Sequence, residues 1–138
     1  MGYGISFRDS SLAISKDNLG PALDALIAHD PEIFTGASDL SDALQSIDWE
    51  LDYKHNWIGF TGDRYRESHE RAFAVIAPFV ESGSYIEMVG QEGEIWRWVF
   101  DNGCLYEQEA VIAWSGKRSE IKPPTNPLTG AQNQIFDR

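Results

Sequence analysis

The spacing of hydrophobic residues changes several times along the chain, and each change predicts a new element. At the N-terminal end, Tyr3, Ile5 and Phe7 alternate with small or polar residues, and Leu12 and Ile14 resume the alternation after a polar run. A period of two is typical of strands that are buried on one face. We therefore predict a short β-hairpin here.

Two segments with helical spacing follow. The first helix is capped by Asn18 and stops at Asp30-Pro31, and the second begins after Ser38 or Asp39. These residue types accept hydrogen bonds from the free amide groups of a first helical turn, and proline does not continue a helix. The apolar faces consist of Leu19, Leu23, Leu26 and Ile27 in the first helix and of Leu40, Ala43, Leu44 and Ile47 in the second.

The period returns to two across residues 49–60, where the polar residues 54–56 divide two apolar runs and predict a second hairpin. A third helix then starts near Ser68, and a glycine at position 83 is suitably placed to end it. Pro78 lies inside this pattern. Because proline lacks an amide hydrogen, the helix should kink or tighten there.

Residues 84–114 predict a three-stranded antiparallel meander, because two polar turns at 91–93 and 101–103 separate apolar strands. Each turn ends in glycine, which suits a three-residue loop with a type I turn and a left-handed glycine. Two-residue loops would place apolar positions of one strand opposite polar positions of the next. The predicted apolar face consists of Ile86, Met88, Trp96, Trp98, Phe100, Cys104, Tyr106, Ile112 and Trp114.

The same loops predict a charge ladder on the opposite face of the meander. Arg97 falls between Glu87 and Glu107, so one guanidinium would pair with carboxylates on both neighbouring strands. A structure that pairs Arg97 with Gln108 would contradict this register.

The order of elements predicts an α+β fold in which about three helices pack on one face of a mostly antiparallel sheet. We assign residues 1–116 to a single domain. Residues 117–138 start with a basic stretch, contain prolines and show no periodic apolar pattern. We predict that they form an extended or disordered basic tail.

Composition supports a folded domain with an unusual charge. The 138 residues are 42% hydrophobic and 12% aromatic, but 22 acidic residues face only 11 lysines and arginines, which gives a net charge of -11. Such a chain repels phosphate backbones and anionic membranes, so we expect no direct nucleic acid or membrane partner. Cys104 is the only cysteine, and no secretory or membrane-spanning pattern is visible. We expect a cytoplasmic protein.

The acidic residues are concentrated in one region. Residues 17–52 contain nine of them and no lysine or arginine. This bias can serve solubility, or it can provide a docking surface for a protein with a basic surface. The predicted acidic face consists of Asp24, Asp30, Glu32, Asp39, Asp42, Asp48, Glu50 and Asp52, and the neighbouring Trp57 and His55 are candidate contacts.

We find no motif for catalysis, cofactor binding or metal binding, and we predict no cofactor. Cys104 is expected to be a small buried hydrophobic residue rather than a nucleophile. Carboxylate pairs such as Glu107 with Glu109 are interpreted as solvated surface rather than a glycosidase site. A mixed metal site would have to combine Asp52, His55, Asp63 and His69, and turn histidines are usually not ligands.

The favoured hypothesis is a non-enzymatic protein-binding module, of the acidic inhibitor or immunity type, that docks on a basic partner. One alternative is a small-ligand-binding domain or enzyme with an aromatic pocket between the meander and the third helix. That alternative would combine aromatic residues with polar groups such as Tyr85, Arg97 or His69. The other is a structural component of a phage or mobile element.

Overall fold

The fold contains a four-stranded antiparallel sheet in the order β1-β4-β5-β6, and β2 and β3 form a separate hairpin. The structure is a computed structural model that describes residues 3–124. The strands are β1 (Ile5–Ser11), β2 (Trp49–Asp52), β3 (Trp57–Phe60), β4 (Tyr85–Gly90), β5 (Ile95–Asp101) and β6 (Cys104–Glu109). The predicted α+β class and the second hairpin are confirmed.

The helices are α1 (Lys16–His29), α2 (Pro31–Phe34), α3 (Leu40–Gln45) and α4 (Glu67–Ile76). The predicted cap at Asp39 is confirmed, since its carboxylate accepts a hydrogen bond from the Asp42 amide at 2.7 Å. The predicted cap at Asn18 is wrong: α1 begins two residues earlier, and the Asn18 side chain donates to the Phe79 carbonyl at 3.2 Å. Around Pro78 the chain tightens into a 3-10 turn, as predicted.

An aromatic cluster connects the four-stranded sheet to helix α4 and to the β2–β3 hairpin. Trp49 of β2 lies 6.0 Å from Trp98 of β5 and 4.9 Å from Phe73 of α4, measured between ring centroids. Phe73 in turn contacts Trp98 at 5.6 Å, and all three side chains are fully buried. Helix α1 packs against α4. The core therefore lies between one face of the sheet and the layer formed by α4 and the β2–β3 hairpin.

The predicted N-terminal hairpin is wrong. Strand β1 continues through residues 9–11 and pairs with β4 instead, with a bulge at Arg8. The polar run lacks glycine or proline to reverse the chain, and Ser10 is held in place by hydrogen bonds with the backbone of Ile58 at 2.7 and 3.1 Å. Leu12 and Ile14 are buried but lie in the connection to α1.

The predicted register is confirmed for β4 with β5 and wrong for β5 with β6. Glu87 lies opposite Arg97, and Gly93 has a positive φ of 87°, as a three-residue loop requires. In the second turn, Asn102 and Gly103 both have positive φ, 50° and 78°. They form a two-residue turn of type I′, whose twist matches the strands. Arg97 therefore pairs with Gln108 rather than Glu107.

This register reverses the faces of β6. Leu105 and Glu107 lie opposite Phe100 and Trp98, so they share the core-side face. Cys104 and Tyr106, predicted to be buried with the aromatic residues, are exposed on the other face. Strand β6 ends at Glu109, so residues 110–124 continue without regular structure. The predicted apolar positions Ile112 and Trp114 are consequently exposed, and the part of the predicted tail at 125–138 lies outside the described residues.

Candidate binding groove

A groove of about 580 Å³ opens beside β5 and β6, where Glu107 and Glu109 lie on the same sheet face as the buried Trp98. The residues that line it combine aromatic and acidic side chains and include no lysine or arginine. They are Tyr3, Tyr65, Gly93, Glu94, Ile95, Trp96, Glu107, Glu109, Ala110 and Ile112. We call this site the acidic groove.

The two tyrosines of the acidic groove meet because distant segments pair with each other. The Tyr65 amide donates to the Tyr3 carbonyl at 2.7 Å, and the Ile5 amide donates to the Asp63 carbonyl at 3.0 Å. The β4–β5 turn is fixed to the same segment, since the Gln91 amide donates to the Gly4 carbonyl at 2.9 Å and its side chain accepts from the Gly4 amide at 2.8 Å. Two tyrosines and the β4–β5 turn thus form one wall.

Hydrogen bonds reinforce the ordinary charge states of the groups in this wall. The Tyr3 hydroxyl donates to Glu94, which lowers the pKa of Glu94 and raises that of Tyr3. The Tyr65 hydroxyl donates to Glu70 on α4, and burial together with this bond raises the pKa of Tyr65. At neutral pH the wall therefore presents protonated phenols and an ionised carboxylate.

The floor of the acidic groove is formed by Trp96 and the two carboxylates that follow it across the sheet. Glu109 lies directly opposite Trp96, and Glu107 lies opposite the buried Trp98. The ring of Trp96 meets that of Trp98 edge to face, with centroids 6.0 Å apart. Its indole Nε1 is buried and has no hydrogen-bond partner among the described residues. The floor thus offers an aromatic surface beside two acidic groups.

The favoured interpretation of the sequence does not predict this site, although one alternative expects an aromatic pocket between the meander and the third helix. The sequence predicts solvated surface for Glu107 and Glu109, and it predicts a core position for Trp96 together with Trp98 and Trp114. Only Trp98 is fully buried; Trp96 is half-buried in the acidic groove, and Trp114 is exposed. The one local signal was the Asn-Gly turn, which places Glu107 and Glu109 on the core-side face once the two-residue loop is assumed.

The predicted acidic face lies along α1, α2, α3 and β2, and none of these elements lines the acidic groove. Four of its carboxylates have local partners: Asp30 and Asp39 cap helices, Asp42 accepts from the Ser38 amide at 2.9 Å, and Asp52 contacts His55 Nδ1 at 2.8 Å. The other members, Asp24, Glu32, Asp48 and Glu50, are exposed to solvent. Nothing in these contacts indicates a ligand, so docking at the acidic face stays a prediction.

The candidate contacts Trp57 and His55 lie at the end of the β2–β3 hairpin. Trp57 is 37% exposed, and its ring packs over the backbone of Gly59 and against the edge of Phe7 at 5.8 Å. His55 is exposed beside Asp52. Trp57 is therefore accessible on one side, although the other side stabilises the hairpin.

Three other candidates do not form sites. His69 is fully buried, whereas His55 is exposed, so the mixed metal site is not assembled. No three metal-binding side chains lie together anywhere in residues 3–124. Tyr85 and Arg97 pack together on the sheet face opposite the acidic groove, with the guanidinium carbon of Arg97 4.0 Å from the centroid of the Tyr85 ring. Cys104 is exposed on that face as well.

No family model, curated protein or solved structure matches this chain. Within the described residues, no helix has the length and apolar character needed to cross a bilayer. The functional argument therefore depends on the geometry and charge of the acidic groove.

Proposed function

We propose that this protein is a non-enzymatic binding module that holds a cationic, extended segment of a basic protein in the acidic groove. The observation that carries the proposal is the lining itself: three carboxylates, on Glu94, Glu107 and Glu109, surround an accessible aromatic surface with no cation among the lining residues. Carboxylates select cationic side chains, and aromatic faces accept both cations and aliphatic stems.

Magnitudes favour a protein segment over a small ion. A cation over an exposed aromatic ring contributes about 0.5–1 kcal/mol, and an exposed charge pair contributes at most about 1 kcal/mol. Even if one lysine or arginine side chain met the aromatic ring and all three carboxylates, these contributions would add to at most about 4 kcal/mol, which corresponds to a Kd of about 1 mM. Micromolar binding needs about twice that free energy, which requires burial of apolar side chains along the groove.

The acidic face adds to this function without being its contact. A domain of high negative charge raises the rate at which a basic partner arrives, and this effect weakens with salt. The alternative of a small-ligand site concerns the same location, since the acidic groove lies between the meander and the segment that leads into α4. The two proposals differ in the ligand that binds.

The test uses a fluorescein-labelled peptide of alternating lysine and leucine residues and fluorescence anisotropy. The double variant Glu107→Gln with Glu109→Gln removes two charges from the groove. We expect it to weaken binding about tenfold, since two exposed charge contacts are worth about 1–2 kcal/mol together. The matched control, Asp24→Asn with Glu32→Gln, removes two charges from the acidic face and should leave the affinity within about twofold.

The outcomes separate the hypotheses. Loss of affinity in the control but not in the groove variant would make the acidic face the contact and overturn the groove assignment. Equal affinity for the peptide and for arginine amide, used as a competitor, would favour the small-ligand alternative. Equal affinity for a matched glutamate and leucine peptide would contradict both electrostatic proposals.

A further inference from the structure

The chain itself contains a segment with the chemistry that the acidic groove selects. Residues 110–124, which we call the C-terminal arm, leave the end of β6 and have no regular structure. Their four large apolar side chains are almost completely exposed: Val111 by 89%, Ile112 by 89%, Trp114 by 93% and Ile121 by 94%. Soluble proteins rarely leave such a concentration of apolar side chains in water unless it serves as a contact.

The charge of the C-terminal arm is opposite to that of the acidic groove. The arm contains Lys117, Arg118 and Lys122 with a single acidic residue, Glu120, which leaves a net charge of +2 within a chain of net charge -11. The groove contributes three carboxylates. Apolar and cationic groups thus occur together on one extended segment, as binding beside an aromatic floor requires.

We infer that the C-terminal arm of a second copy of this chain occupies the acidic groove, so that two copies exchange arms. The inference rests on the proposed function, because it names the occupant of the same groove. In a two-fold pair each copy offers one arm and one groove, and both grooves are filled. A closed pair of this kind leaves no unpaired arm.

The position of the arm's own start favours a second copy over the same chain. Ala110 and Ile112 already form part of the groove lining, and the Ala110 amide donates to the Ile95 carbonyl at 3.2 Å. From there the arm leads away, and Trp114 makes almost no contact. To enter its own groove, the arm would have to reverse within the next few residues. Residues 113–124 comprise 12 residues. An extended segment of this length reaches about 40 Å, which is far enough to cross to a neighbouring molecule.

The open edge of β6 supports the same contact. In the described sheet β6 is the terminal strand, and its residues are exposed apart from Leu105. An edge strand presents free amide and carbonyl groups that an extended segment can pair with. An incoming arm can therefore add backbone hydrogen bonds at the edge while its side chains reach the floor of the groove.

The first experiment measures the mass of the full chain by sedimentation equilibrium across a range of micromolar concentrations. We expect a concentration-dependent dimer. Trp114→Ser with Ile121→Ser should raise the dissociation constant of the dimer at least tenfold, while the fold of the monomer should tolerate the change because these side chains are 93% and 94% exposed. Glu107→Gln with Glu109→Gln should raise the dissociation constant similarly. The matched control is Ile33→Ser, which replaces an exposed apolar residue on α2 and should leave the dissociation constant of the dimer unchanged.

Mixing provides the decisive test. Trp114→Ser with Ile121→Ser impairs the arm, and Glu107→Gln with Glu109→Gln impairs the groove, so each variant is weakened as a homodimer. In a mixed dimer, the intact arm of the groove variant can occupy the intact groove of the arm variant. We expect the mixture to contain more dimer than either variant alone. A dimer that survives in both variants, or a mixture without recovery, would overturn arm exchange.

Failure of the inference can be distinguished from failure of the proposed function. A chain that stays monomeric overturns arm exchange. If that monomer still binds the lysine and leucine peptide in its groove, the proposed function stands and the occupant is another protein. If it binds neither that peptide nor a labelled peptide of residues 110–124, both proposals fall. Protection of Trp114 from acrylamide quenching in a monomer would show that the arm folds back on its own groove, which also overturns exchange.

Discussion

A single buried histidine should make the stability of this domain depend on pH in a defined range. His69 of α4 is fully buried, with its ring 5.8 Å from that of Trp49 and 5.2 Å from that of Phe60. Neither ring nitrogen has a hydrogen-bond partner of acceptable geometry among the described residues, although the nearby Ile47 carbonyl favours protonation slightly. Burial dominates and lowers the pKa from 6.5 to about 4.

The direction and the size of the pH dependence of stability follow from this pKa. Between pH 6.5 and about 4, the unfolded chain binds a proton at His69 that the folded chain does not bind. The free energy of unfolding therefore falls as the pH falls through this range, by at most about 1.4 kcal/mol per pH unit. The full difference is about 3 kcal/mol, since the pKa falls from 6.5 to about 4. Asp48 opposes the shift and Arg66 adds to it, both less than burial.

The assay is urea unfolding followed by tryptophan fluorescence between about pH 7 and pH 5. The variant His69→Leu replaces the imidazole with an apolar side chain of similar size, so the slope of stability against pH should largely disappear. His55→Asn, at an exposed position, is the control and should keep the slope. Glu87 does not interfere, because pairing with Arg97 lowers its pKa and its contribution is lost only at more acidic pH. An unchanged slope in His69→Leu would refute the assignment.

Two further predictions concern local structure. Gly103→Ala should destabilise the fold by about 1 kcal/mol or more, because the type I′ turn holds this residue at a φ of 78°. The matched control is Gly36→Ala, where an added methyl group meets nothing within 4 Å. Equal losses of stability in urea unfolding would contradict the turn assignment. Asp39→Ala should cost about 1 kcal/mol by leaving the Asp42 amide without its cap. Asp24→Ala, on the exposed side of α1, should cost much less, and the same loss in both variants would argue for a general effect of charge.

Local patterns were sufficient to predict most elements of the fold. Helical spacing, the Asp39 cap and the tightening at Pro78 depend on neighbours within a few residues, and the structure confirms them. The N-terminal hairpin failed because Leu12 and Ile14 are buried without being in a strand. Burial produces an apolar pattern in a connecting segment as readily as in a strand, so the pattern alone did not distinguish them.

The acidic lining of the groove was not predicted, because it depends on one contact that the sequence does not reveal and on another that only a short turn indicates. One is the pairing of residues 3–5 with residues 63–65, which are far apart in the chain and show no shared pattern. The other is the register of β6, for which the apolar pattern and the turn residues favour different loop lengths. The Asn-Gly turn was the stronger signal, since only a two-residue loop uses left-handed backbone at both Asn102 and Gly103.

The error in the β6 register is itself informative about function. A sheet with one covered face ordinarily places apolar side chains on that face, and the predicted register obeyed this rule. The observed register places Glu107 and Glu109 there instead, beside the half-buried Trp96. The acidic residues at Asp30 and Asp39 are explained by the helices that they cap, whereas no hydrogen bond within residues 3–124 explains Glu107 and Glu109 in the same way. Residues that break a local rule without a structural reason mark sites of function more often than residues that obey it. The unexplained carboxylates of β6 are therefore the better place to look for a partner than the longer acidic run that precedes them.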